Sequence, residues 1–252
     1  MRYISIVIIV LVLFSCDNSE KEITAQQIVD KAIQQAGGDN YNNAEISFEF
    51  RKGNYKSTRN GAEFKLERTR IDSTGKTHDV VSNNGLKRYH NDSLVRVVDS
   101  LIIPISNSVN SVHYFVHLPY GLNDPAANKK LLGKDSIAGK EYYEIKVSFS
   151  EEGGGTDHED KYLYWINTKD YTIDYLAYSF EVNEGGIRFR RAFNPRVVEG
   201  IRFVDYENYK YEDLSTQLED LDTLFENRKL ELLSEIKTEN IQVKLNNQES
   251  KP

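Results

Sequence analysis

Near the start of the chain, apolar residues recur with a helical period. Ile28, Val29, Ala32, Ile33 and Ala36 form one stripe, and Asp30, Lys31, Gln34 and Gln35 lie off it. Thr24 with Gln27 forms a capping box and Gly37-Gly38 supplies a stop, so the pattern predicts an amphipathic helix over 24–36. The period then changes to two. Ile46, Phe48 and Phe50 alternate with Ser47, Glu49 and Arg51 as a first strand, and Asn60-Gly61 marks a hairpin turn into Phe64 and Leu66. Val80-Val81, the turn Asn84-Gly85, and the stretches 86–90 and 94–98 continue the meander. Helical spacing returns where Val109, Val112, Phe115 and Val116 follow Pro104 and Ser106, and Pro119 ends the run. A second helix over 101–118 is predicted to cross the sheet. The stretch 120–140 reads as turns, with a short helix at 125–131.

The longest run of strands spans 142–211. Tyr143, Ile145, Val147 and Phe149 alternate with Glu144, Lys146 and Ser148, and Gly153-Gly154-Gly155 breaks the pattern. Strands at 162–166, 172–182, 187–193 and 197–209 follow. Asn194-Pro195-Arg196 is placed between the last two, because proline cannot donate to a ladder. Beyond Tyr211, Leu214, Leu218, Leu221 and Phe225 give a helical pattern, and 230–245 returns to strand-like spacing. The sum is about ten strands and two or three helices.

Apolar residues occupy both faces of the central strands. Tyr162 and Tyr164 alternate with Leu163 and Trp165, and Tyr175 with Leu176, Tyr178 and Phe180. A sheet wet on one side would show polar residues at every other position, so both faces are covered or one lines a cavity. The fold class that satisfies this is mainly β (α+β): a strongly curved antiparallel sheet wrapped around two or three helices. One helix near the N-terminus cannot shield so many strands. The segment 105–118 is therefore expected in the concavity, with Val112, Phe115 and Val116 toward Trp165, Tyr178 or Phe180. Loose packing there would leave an apolar pocket. Its candidate ligand-binding residues are Val112, Phe115, Trp165, Tyr178 and Phe180, joined by Arg188 and Arg190.

The N-terminus changes the picture from fold to compartment. Arg2 precedes an uncharged run from Tyr3 to Phe14, shorter than the ~20 residues of a spanning helix and suited to a secretory signal. Cys16, the only cysteine in 252 residues, follows Leu13-Phe14-Ser15, which resembles the lipobox of bacterial lipoproteins. That resemblance implies cleavage before Cys16 and acylation of its sulfur and new amine, a durable membrane anchor when several chains are attached. The expected organisation is a signal peptide over 1–15, a polar tether over 16–22, one curved-sheet domain over 23–245 and a polar tail over 246–252. The expected location is the outer membrane of a Gram-negative cell, on its periplasmic face or at the surface. A mature chain without other cysteines has no disulfide to rely on and no thiol nucleophile. The net charge of −7 and pI near 5.4 argue against nucleic acid or anionic lipid as the main partner.

Three stretches carry a wider resemblance: 108–128 (SVNSVHYFVHLPYGLNDPAAN), 153–167 (GGGTDHEDKYLYWIN) and 174–208 (DYLAYSFEVNEGGIRFRRAFNPRVVEGIRFVDYEN). They are similar to an uncharacterised family of bacterial lipoproteins, from the first helix to about Ile241. That family resembles the half-barrel fold of the lipoprotein-carrier proteins LolA and LolB, whose curved sheet holds helices and an apolar cavity. The resemblance implies a carrier or binding protein for a lipid or other hydrophobic ligand. Members have been labelled deoxyribose-phosphate aldolases, but that barrel needs strands alternating with helices, and here strand follows strand. The family supplies no catalytic residues to transfer.

Candidate chemistry is sparse. Asp157, His158, Glu159 and Asp160 follow three glycines and offer oxygen ligands or an acid-base group, but their spacing fits no EF-hand loop, and a solvated loop explains them as well. His113 and His117 stand four apart on the second helix, a spacing that permits one metal, yet no HExxH accompanies them, and satisfied or partly exposed histidines on an apolar helix are the stronger reading. Arg188, Arg190, Arg191, Arg196 and Arg202 crowd two neighbouring strands. Such a cluster suits a ligand carboxylate or phosphate, or internal pairing with Asp160, Asp174, Glu199 or Asp205. No catalytic residue, cofactor or metal site is assigned, and the alternative function is an envelope hydrolase or lyase using 157–160 or the Arg188/Arg190 cluster.

Overall fold

The computed structural model describes residues 22–150, 160–181 and 185–246. The signal segment, Cys16, residues 157–159 and the end of the tail lie outside them. The described residues form two seven-stranded antiparallel sheets. In the first sheet β1 (Ala44–Phe50), β2 (Gly53–Asn60), β3 (Glu63–Asp72), β4 (Gly75–Ser82), β5 (Gly85–His90) and β6 (Ser93–Val95) meander in sequence. The second runs from β7 (Ala127–Ile137) through β8 (Lys140–Phe149), β9 (Lys161–Asn167), β10 (Ile173–Phe180), β11 (Gly186–Val198) and β12 (Ile201–Tyr211) to β13 (Glu231–Ile236). The last strand, β14 (Glu239–Leu245), pairs with β1. Only Lys237 and Thr238 separate β13 from β14, so the two sheets adjoin along these strands and neither closes into a barrel.

The mainly β, curved and open architecture expected from the sequence holds, with fourteen described strands where about ten were predicted. Two predictions are corrected. The stretch 127–137 is a strand, not turns and a helix: β7 is an edge strand, where lysines such as Lys129 and Lys130 are tolerated. Its register also shifts between Leu131 and Gly133, which hides the period of two. Likewise Asn194-Pro195-Arg196 does not end a strand. β11 continues through it as a bulge between Phe193 and Arg196, a place where proline's missing N–H costs no ladder bond. The hairpin turn falls at Glu199-Gly200, both with positive φ (46° and 78°).

That bulge ties the sheets together. Asp205, 2% exposed on β12, accepts from Asn194 Nδ2 (2.7 Å), Arg196 Nη2 (2.9 Å) and the Thr238 backbone N–H (3.0 Å). Arg196 also donates to the Thr238 carbonyl at 2.6 Å.

Three α-helices cover the sheets. α1 (Ala25–Ala36) begins with the predicted capping box at Thr24 and buries Ile28, Val29, Ala32 and Ala36 against β7 and β12. α2 (Asp99–Val116) lies over β3 and β4 and reaches across to the second sheet. α3 (Leu221–Glu226) covers the opposite face of that sheet, where Leu163, Trp165, Tyr175 and Phe189 pack with Leu221 and Phe225. The two-faced apolar pattern thus has its cause: Tyr164, Ile166 and Leu176 face α1 and α2, and Leu163, Trp165 and Tyr175 face α3.

Candidate ligand cavity

α2 presents different chemistry to the two sheets. Toward the first sheet it buries Ile105, Val109 and His113. Arg68 on β3 is 4% exposed and donates to Ser108 Oγ of α2 at 2.7 Å. It also pairs with Asp79 on β4 at 2.8 Å, and Arg88 on β5 pairs with the same carboxylate at 2.6 Å. His113 Nε2 donates to the Glu67 carbonyl at 3.1 Å, and His117 Nε2 is 3.3 Å from Ser57 Oγ. Burial lowers the pKa of His113 to about 4 and that of His117 well below the usual histidine value. Both rings are therefore neutral packing elements beside Phe48 and Tyr55. Among the described residues no group of three or more His, Cys, Asp or Glu is arranged to hold a metal ion.

Toward the second sheet α2 touches only in part. Tyr114 and Tyr164 share a hydroxyl–hydroxyl bond of 2.7 Å, and the rings of Phe115 and Tyr178 lie 5.3 Å apart. Alongside this contact, α2 and the second sheet stand apart and leave a cavity of about 800 Å3. Its helix wall comprises Ile103, Pro104, Asn107, Ser108, Ser111, Val112, Phe115 and Val116. Its sheet wall is Tyr162, Tyr178, Phe180, Arg190, Val204, Tyr206, Asn208 and Ile236, and Phe50, Arg51, Asp160 and Thr238 complete it. The size falls within the range of small-molecule sites, about 300–1,000 Å3, and the lining is mostly apolar with a few polar groups.

Of the seven ligand-binding residues predicted, Val112, Phe115, Tyr178, Phe180 and Arg190 line this cavity. Trp165 does not. It is fully buried on the opposite face under α3, because its cross-strand partner is Tyr175, whereas Tyr162 is the residue opposite Tyr178. Alternation along β9 therefore puts Tyr162, not Trp165, at the cavity. Arg188 also lies outside the lining: its guanidinium covers the Phe180 ring at 5.1 Å, and Nη1 donates to the Ile187 carbonyl. The other arginines divide as well. Arg191 pairs with Glu207 and Arg196 with Asp205, and Arg202 is not part of the cavity.

The sequence reading missed Phe50, Val204, Tyr206 and Ile236. The signal existed for β12, since Val204, Tyr206 and Asn208 share one face by alternation. The bulge at Pro195 concealed how that face aligned with Arg190, which sits opposite Asn208.

The family of unknown function DUF6503 matches residues 2–238. The chain belongs to that family. No curated protein matches this DUF6503 member in sequence. Among solved structures, a DUF1329 family protein from Desulfovibrio piger is similar over 87% of this chain and 92% of its own, with TM-score 0.50 and 10% identity. A LolA superfamily protein from Nitrosomonas europaea is similar over 89% and 94%, with TM-score 0.48 and 15% identity. The lipoprotein LppX from Mycobacterium tuberculosis is similar over 61% and 88%, with TM-score 0.26 and 12% identity. The first of these likenesses shows a shared fold.

Proposed function

We propose that this DUF6503 member is an envelope lipoprotein, held to the outer membrane through acylated Cys16, whose cavity binds or carries a lipid or other hydrophobic molecule. The observation that carries the reading is the cavity itself: about 800 Å3 between α2 and the second sheet, walled by Val112, Phe115, Tyr178, Phe180, Val204 and Ile236. A mostly apolar cavity of that size favours an apolar guest, which takes the exposed apolar wall out of water. The anchor rests on Cys16 and the apolar run before it.

The test is native mass spectrometry of protein extracted from its own membrane in mild detergent, followed by solvent extraction of bound lipid. A discrete adduct of one apolar molecule per chain is expected, separate from the acyl groups on Cys16. A chain that carries no adduct and acquires none from a total lipid extract contradicts the reading.

A further inference from the structure

We infer that the hydrophobic ligand carries an anionic head, a carboxylate or a phosphate, and that Arg190 receives it. The inference rests on the cavity being a ligand site, as proposed above, and adds the class of ligand.

Arg190 is 7% exposed and projects from β11 into the cavity wall. Its Nε donates to Asn208 Oδ1 at 3.3 Å and one Nη2 proton to the Tyr178 hydroxyl at 2.8 Å. Its flat face lies over the Phe115 ring at 4.0 Å, with Tyr178 and Tyr206 at 5.0 and 5.9 Å. Every one of these partners is neutral. Burial raises the Tyr206 phenol to about 12, so it supplies no negative charge at neutral pH. Among the described residues no carboxylate stands within ion-pairing distance of Arg190.

Arg68, the other buried arginine among the described residues, holds Asp79 at 2.8 Å, and Arg190 has no such ion pair. A guanidinium cannot shed its charge by deprotonation, so a buried one is normally matched by an anion. Arg190 lines a mostly apolar cavity and is held there by Asn208, Tyr178 and Phe115. A planar fork held still in a low-dielectric wall suits a carboxylate or phosphate oxygen pair arriving with a hydrocarbon chain.

Two other charges border the cavity. Asp160 accepts from the Tyr162 hydroxyl at 3.4 Å. The register sets Arg190 level with Leu176 and Leu176 level with Tyr164. Asp160 is four residues before Tyr164, so its backbone lies about 13 Å further along the strands than that of Arg190. Arg51, in the β1–β2 turn, adds a second positive charge to the lining.

The experiment is competition against N-phenyl-1-naphthylamine, an uncharged apolar fluorophore, at pH 8. The competitors are palmitate, hexadecyl phosphate and hexadecanol below their aggregation limits. Wild-type protein is expected to bind palmitate or hexadecyl phosphate at least tenfold more tightly than hexadecanol, and whichever of the two is tighter identifies the head. Arg190→Met is expected to lose the preference, binding the anions no more tightly than hexadecanol, and Arg190→Lys to retain part of it. If wild-type protein binds hexadecanol as tightly as both anions, the head-group inference is overturned and the cavity reading stands. If neither the fluorophore nor any competitor binds, the cavity reading itself fails. Where Arg190→Met does not fold, the wild-type comparison still decides the head group and Arg190→Lys decides the residue.

Discussion

Asp79 is 2% exposed and holds Arg68 and Arg88 at once, and Arg68 continues to Ser108 on α2. Burial works against its charge, yet the two guanidinium groups keep its carboxyl below the ordinary value. Removing one member of such a network leaves a buried charge without a partner. Asp79→Ala is expected to cost about 3–5 kcal/mol in urea unfolding, and Arg68→Met with Asp79→Leu considerably less. Equal losses would show that the charges stabilise the helix contact directly. His113 and His117 give the same contact a pH dependence. Unfolded, each imidazole titrates near the usual value of about 6.5. Folded, His113 titrates at about 4 and His117 is also held well below the usual value, both chiefly by burial. The folded chain thus binds fewer protons between these values, and stability present above pH ~6.5 falls as the pH drops toward 4. Thermal unfolding of His113→Gln should show a shallower decline than wild type; identical profiles would mean that the ring is protonated without cost. The network was not legible in the sequence, because it depends on which residues of α2 meet the first sheet, whereas satisfied histidines on an apolar helix were. Trp165 shows the same limit. Its parity along β9 is readable, but which parity faces the cavity is fixed by the pairing of Tyr162 with Tyr178. Its fluorescence therefore reports on α3, and it is expected to respond little to a ligand.

At the scale of elements, α3 is attached through an acid. Burial first, then its hydrogen bond with Asp135, raises the pKa of Asp222 to about 7, and Glu144 nearby is also raised by burial. Here the sign is opposite to that of the histidines. The folded state holds the proton that the unfolded state releases near 3.8, so this contribution to stability is lost as the pH rises from there to about 7. Asp222→Asn is expected to raise the melting temperature at pH 8 and to change it little at pH 4. A shift of the same size at both pH values would contradict that assignment. The elements legible beforehand were those whose cause is local. The cap at Thr24 and the stripe through Ala36 specify α1, and strict alternation specifies β1 and β8. Edge strand β7 and the bulge at Pro195 obey rules set by neighbouring strands, and there local propensity pointed the wrong way.

For the whole molecule, the two-faced apolar pattern was enough to infer an open antiparallel sheet covered on both sides, and the resemblance named its half-barrel form. What the pattern could not convey is the division into two sheets hinged at Thr238, since β13 and β14 read as one strand-like stretch. That hinge places Phe50 and Arg51 of the first sheet at the mouth of a cavity built on the second. The proposed anchor has its own test. Among the described residues no helix is long and apolar enough to cross a membrane. If acylated Cys16 is the anchor, Cys16→Ala is expected to move the protein from the membrane to the soluble fraction, and retention after a salt wash would refute the anchor.

The cavity is the central claim, and titration of the purified protein with N-phenyl-1-naphthylamine tests it most directly. A blue-shifted emission that saturates at one site per chain is expected. It should be lost in Ser111→Trp, which fills the helix wall of the cavity without removing a buried core residue and should leave the melting temperature near that of wild type. Emission that rises without saturation, or saturates equally in Ser111→Trp, would contradict a ligand site between α2 and the second sheet.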